Sequence, residues 1–205
     1  IMKQAVAVLA ILAMAAFAGQ VRVDVPGVGG GGYDAEVLQY DDGSPHWLTW
    51  GGTYRGTWFN TQDFDPSSGG FALEQMEYWF YEHNERPWDT DEFYSEIWNG
   101  DDMGPVSPCL AQAVVVAPHY APCYHTFATP LDVEQNFWGL INTTMSAGGW
   151  PSVLGDNTPG ENSFFSDDMI VWEPWGELGD YLIRAHGEFT YSLEAGSWAS
   201  IKALF

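Results

Sequence analysis

FALEQMEYWFYEHNERPWDTDEFYSEIWN, residues 71 to 99, is the stretch whose reading decides the fold. Two aromatic-rich segments, Phe71 to His83 and Asp91 to Trp98, flank a connection bearing Pro87 and Asp89. Apolar residues at every second position predict strands with one buried face. In the first segment the alternation changes parity near Glu74-Gln75. Phe71 and Leu73 share one face, while Met76, Tyr78 and Phe80 share the other. A β-bulge at that point turns both sets inward. In the second segment Phe93 and Ile97 lie on one face, and Tyr94, Glu96 and Trp98 on the other.

The same unit, a short aromatic strand followed by a Gly, Pro or Asp turn, recurs on both sides. Upstream, strands are expected at Val21 to Val25, Tyr33 to Tyr40, His46 to Trp50 and Tyr54 to Asn60. Asp41-Asp42-Gly43-Ser44-Pro45 is a turn, and Gly51-Gly52 reads as a hairpin turn. Downstream, Leu110 to Ala117, with the run Val114-Val115-Val116, reads as a centrally buried strand, and Phe137 to Thr143 as another. Met169 to Trp172 and Tyr181 to Arg184, continuing toward Leu193, read as closing strands. Thr61 to Gly70 and Ser146 to Gly160 are loops, and no long helix is expected. Nine or ten strands at this spacing predict an all-β, two-sheet β-sandwich of jelly-roll type.

Residues 1–18 have the form of a signal peptide: Lys3, an apolar run from Ala5 to Ala16, and a small-x-small site at Ala16-Phe17-Ala18. The remainder then forms a single β-sandwich domain, 19–194, and a tail, 195–205. In the tail Trp198, Ile201, Leu204 and Phe205 fall at helical spacing. The chain is expected to be secreted or held at the cell surface, with no membrane insertion after signal cleavage. All 28 acidic residues follow residue 18, against five basic ones once Lys3 is set aside. Such a surface repels nucleic acid and anionic membrane, which need clustered Lys and Arg. Two cysteines, Cys109 and Cys123, in an oxidising compartment point to a disulfide. An unbroken strand from Leu110 to Val116 would carry the two sulfurs apart, so the pairing requires the loop to fold back.

Tyr40-Asp41-Asp42-Gly43-Ser44 resembles the Y-D-D-G-[TS] opening of β-sandwich modules in secreted, multidomain bacterial proteins. Phe71 to Asn99, and Asn136 to Trp150 with Ser166-Asp167-Asp168, resemble the body of such modules. The end resembles a terminal S-W-G-x-I-K-x-[LM]-[FY] pattern of exported bacterial proteins, with Ala199 in place of the Gly. The resemblance implies export and a jelly-roll-like fold. It brings no catalytic residues.

Paired carboxylates on turns are the first candidates for chemistry. Asp63/Asp65, Asp89/Asp91 and Asp167/Asp168 are candidate calcium ligands, as are Asp41/Asp42 and Asp101/Asp102, because calcium takes six to eight oxygens, often from turns. The alternative is a solvated Asp that shapes its turn. Eleven Trp residues are the second. Trp88, Trp150 and Trp175 follow Pro or Gly in loops and are candidate sugar-stacking rings. Trp47, Trp50, Trp58, Trp79, Trp98, Trp138 and Trp172 read as core. His119, Cys123 and His125 form a weaker metal-like triplet. Glu74, Glu77 and Glu96 are the carboxylates a glycosidase would need. Nucleophile-elbow, zinc-protease and phosphate-loop motifs are absent from the sequence. The expected function is a non-catalytic extracellular module that binds a polysaccharide or cell-surface component, with calcium as a candidate cofactor. A secreted glycosidase-like hydrolase and a structural envelope component are the alternatives.

Overall fold

The computed structural model describes residues 19–22, 36–176 and 179–191. The expected signal peptide and the C-terminal tail lie outside them. Thirteen strands are described: β1 Gly19–Arg22, β2 Glu36–Leu38, β3 Trp47–Trp50, β4 Tyr54–Asn60, β5 Gly70–Trp79, β6 Glu92–Asp101 and β7 Gly104–Val116. They continue as β8 Pro122–Glu134, β9 Asn136–Asn142, β10 Val153–Gly155, β11 Ser163–Ser166, β12 Glu173–Pro174 and β13 Ile183–Thr190. No described helix is long and apolar enough to cross a membrane.

Two sheets carry the fold. One has the order β2-β13-β5-β8; the other runs β12-β11-β4-β9-β6-β7. All the pairings are antiparallel. Taking β2, β4, β5, β6, β7, β8, β9 and β13 in turn, the chain alternates between sheets except at the β6–β7 hairpin. That winding is a jelly roll. A small third sheet, β1-β3-β10, closes one end.

The bulge expected in β5 is present. Both partners of β5 skip Glu74: His186 and Gly187 on β13 face Gln75 and Leu73, and on β8 the register breaks at the same point. As a result Phe71, Leu73, Met76, Tyr78 and Phe80 are all fully buried. Rings from the two sheets meet across the core, Phe71 stacked on Phe137 at 6.3 Å and Tyr78 edge to face with Phe93 at 5.3 Å. Each fully buried ring or branched side chain contributes about 1.5–3 kcal/mol relative to exposure. The Met76 side chain lies directly over Gly139, its terminal methyl 2.3 Å from where a Cβ would stand. A second apolar layer covers the outer side of the six-stranded sheet. Trp58, Trp138 and Trp98 stand in direct register across β4, β9 and β6, and join Leu140, Phe164, Met169 and Trp172. Much of the aromatic content therefore lies in two layers of packing.

Several expectations are corrected. Gly51 and Gly52, at φ 81° and 69°, do not close a hairpin. They turn the chain from β3 in the small sheet to β4 in the six-stranded one. Leu110 to Ala117 is not a central strand: β7 is an edge, with Val114 and Val116 each 53% exposed. Met169 to Trp172 is not a strand, because the Asp168 carboxylate accepts the Ile170 and Val171 amides and holds a turn. Pro122–Glu134, not expected as a strand, is β8, and three short strands lie within or after the expected Gly/Pro loop.

Cys109 and Cys123 are both free thiols, so the expected disulfide is overturned. Cys109 lies on β7 opposite Trp98, and Cys123 on β8 opposite Tyr78. Those strands belong to different sheets. The loop between them turns only after β7 has run its full length, which carries the sulfurs apart.

Candidate binding site at the loop end

Four segments meet at one end of the sandwich: the β3–β4 turn, the connection after β5, the loop after β9, and the turn after β11. Hydrogen bonds tie them together. The Ser146 hydroxyl and Ala147 amide donate to the two oxygens of Asp89, at 2.7 and 2.9 Å. The Trp88 indole N–H donates to the Ser152 hydroxyl at 2.8 Å, and that hydroxyl donates to the Tyr81 carbonyl at 2.7 Å. The Thr53 amide donates to Asp167. Gly51 and Gly149 bring their backbones together, with the Gly51 amide donating to the Gly149 carbonyl.

Two clefts result. The first, of about 440 Å³, is lined by Gly51, Thr53, Thr143, Ser146, Gly149 and Asp167. The second, of about 480 Å³, is lined by Glu82, Trp88, Asp89, Asp91, Val116 and His119. Asp89 connects them, lining the second and holding Ser146 of the first. Beside the first cleft the Trp150 and Trp50 rings stack at 5.4 Å and 13°. The Arg86 guanidinium lies 4.8 Å from the Trp50 ring centroid, within cation–π range. Among the described side chains Arg86 is the one exposed cation, since Arg55 and Arg184 are buried.

Arg55 on β4 fixes the floor of this end from below. Fully buried, it donates to the carbonyls of Thr49, Gly149 and Pro151 at 2.8–2.9 Å. Burial pulls its pKa down to about 10, so it stays charged at neutral pH.

The sequence candidates divide accordingly. Trp88, Trp150, Asp89, Asp91 and Asp167 gather at the loop end. Trp175 does not: it is 4% exposed and stacks on Tyr181 at 4.7 Å, so its loop-ring assignment is corrected to core. Asp63 accepts the Tyr40 hydroxyl and the Asn60 amide. Asp65 accepts from Ser67 and Tyr191, and Asp168 caps its own turn. These oxygens shape turns, which also holds the Asp65 and Asp168 pKa values below the usual carboxylate range. Among the described residues no three His, Cys, Asp or Glu side chains are placed to hold a metal ion. His119 accepts the Glu82 amide, whereas His125 bonds the Ser95 hydroxyl at 2.9 Å, so the expected triplet is dispersed.

The glycosidase carboxylates are likewise separated. Glu77, on β5, bonds Arg184 and His186. Glu96, on β6 in the other sheet, is 4% exposed and accepts from Gln112, Asn142 and Trp98. A Ser–His contact does exist, but Ser95 is fully buried and its oxygen is shared with the Tyr78 hydroxyl at 2.6 Å. That chain links the two sheets in the interior and lines neither of the two clefts.

Sequence reasoning did not single out Arg55, Arg86, Ser146 or the Trp50 ring as site residues. Only the spacing of Gly51-Gly52 and Gly148-Gly149, two glycine pairs in a chain of bulky strands, marks the close backbone approach that forms the first cleft. No protein-family profile matches the chain, and comparison with curated proteins and with solved structures returns no significant match.

Proposed function

We propose that this chain is a non-catalytic extracellular binding module whose ligand is a carbohydrate held at the loop end. The observation that carries the reading is the grouping of Trp88, Trp150 and Trp50 with hydroxyls and carboxylates around two open clefts. Sugar recognition uses this combination, a ring face against C–H groups and short polar side chains for the hydroxyls. The Thr143, Thr144, Ser146 and Asp167 lining of the first cleft supplies donors and acceptors without a strong charge of either sign at every position. Export, supported by the form of residues 1–18, would bring the module to polysaccharide or to a cell surface. The hydrolase alternative is weakened by the separation of Glu77 and Glu96 into different sheets.

Affinity electrophoresis against a panel of plant, bacterial and algal polysaccharides tests the reading. Retardation on at least one of them, lost in Trp150→Ala and Asp89→Ala, is the expected result. Free migration on all of them would overturn carbohydrate binding. Retardation untouched by both substitutions would overturn this location.

A further inference from the structure

We propose that the open edge of β7 pairs antiparallel with the same strand of a second copy of this chain. A sheet edge exposes backbone donors and acceptors that can template another strand, and natural proteins guard such edges. The described edges here are guarded in all cases but one. β12 is two residues long and contains Pro174 and Glu173; β2 has three residues. β1 and β10, at the ends of the small sheet, have four and three. β8 is long, but its register breaks across Phe127 to Pro130, and it carries Asp132 and Glu134. β7 has 13 residues and no charged side chain, in a chain of net charge −22. Its prolines, Pro105 and Pro108, and its register shifts are confined to the half before Ala111. From Ala111 to Val116 the edge is regular, and no described strand pairs with its outer side.

The hydrogen-bond phase of that stretch follows from one bond. The Ala117 amide donates to the Asp91 carbonyl across the β6–β7 ladder. Antiparallel pairs alternate between bonded and non-bonded. Val115, Ala113 and Ala111 are therefore the residues bonded to β6, and Val116, Val114 and Gln112 point their backbone groups outward. Val114 and Val116 also leave their side chains exposed.

The occupant is argued from charge and from self-complementarity. Two copies this acidic repel one another across most of their surfaces, and the repulsion is least where the strand carries no carboxylate. A strand that fits this edge is extended, uncharged and rich in small or branched residues. The chain presents such a strand on its own exterior. A two-fold axis at Val114 sets Gln112 of one copy opposite Val116 of the other and joins the outward groups of all three positions in an isologous contact.

Sedimentation velocity of the purified protein from micromolar to millimolar concentration reads the association. A reversible dimer is expected. Val114→Pro removes an outward donor without touching a bond to β6, and each change acts twice across the axis, so dissociation should shift by at least about tenfold in concentration. Val114→Glu keeps the backbone and should also dissociate the dimer, whereas Ile170→Glu, on an exposed apolar loop residue, should leave it intact. In a Cys109→Ser background, Val114→Cys should oxidise to a covalent dimer, because facing bonded residues lie within disulfide reach. A monomer throughout the range, or a dimer unaffected by both Val114 substitutions but lost in Ile170→Glu, would overturn the proposal.

Discussion

Arg184 and Asp41, 143 residues apart, meet in a two-point ion pair at 2.7 and 3.0 Å with almost no exposure to water. Arg184 lies on β13 and also reaches Glu77 on β5 at 3.2 Å; Glu77 in turn bonds His186 at 2.9 Å. The first Asp of the Tyr40-Asp41-Asp42-Gly43-Ser44 stretch is thus committed to fastening the loop after β2 to the four-stranded sheet. Asp42 continues the attachment, its amide donating to Asp156 and its carboxylate accepting from Thr158.

Removing one member of this pair leaves a buried charge without its partner. Asp41→Leu and Arg184→Met should each lower stability by about 3–5 kcal/mol in urea unfolding. The double substitution should cost less than the sum of the two single ones, because neither member of the pair is then left facing a missing partner, although Glu77 still loses its bond from Arg184. A double variant as unstable as the sum would mean that the two side chains are not energetically coupled.

Asp180 sets a pH dependence of unusual sign. Burial, reinforced by the nearby Asp156 carboxylate and opposed by the Ser163 hydroxyl bond, pushes its pKa up to about 6. An unfolded Asp titrates near 3.9. Between these values the native state holds more protons, so its contribution to stability falls as pH rises. His125 acts oppositely: burial lowers its pKa, so acid below its ordinary range destabilises the fold. Asp180→Asn isolates the first effect. Its melting temperature relative to wild type should be highest at about pH 7.5 and should decline toward about pH 4.5. A flat difference would show that Asp180 titrates alike in both states.

Gly149 has a φ of 73°, and a Cβ there would lie 2.7 Å from the Gly51 Cα. Gly176 has a similar φ of 65°, but nothing lies within 4 Å of its Cβ position. Gly176→Ala should lose only the conformational component, about 1 kcal/mol. Gly149→Ala should lose more, about 2–3 kcal/mol, and should also displace the first cleft. Thermal melts of both variants give the comparison.

Neither thiol is expected to be oxidised. Burial raises both thiol pKa values, that of Cys123 to about 12. Ellman titration should find both thiols in the denatured chain and should leave Cys123 unreacted in the native one. Adding reductant should not move the melting temperature. A drop would restore the disulfide.

The parts of the fold legible in the sequence were those where burial alone sets the pattern. Phe71 to Trp98 alternates because one face packs, and even the β5 bulge is visible as a change of parity. β8 was hidden because it is an edge. Thr126, Ala128 and Pro130 interrupt the alternation where the register breaks, and its other face meets water. The role of β7 was misread for a related reason: a run of valines says that a strand forms, not which neighbours it has. At the site, residue type picked out Trp88, Trp150 and the acidic turns. Their convergence depends on loops drawn from distant parts of the chain. Trp175 has the same local context as Trp88, a preceding Pro, yet tucks against Tyr181 because Gly155 leaves room for its ring.

Arg55 carries a positive charge into the interior and meets only carbonyl dipoles, two of them from the loop that walls the first cleft. Any swing of that loop away from the sandwich would strand a cation in a dry, uncompensated setting. The rim is therefore set in shape beforehand, and a ligand of the proposed kind would meet it without remodelling it.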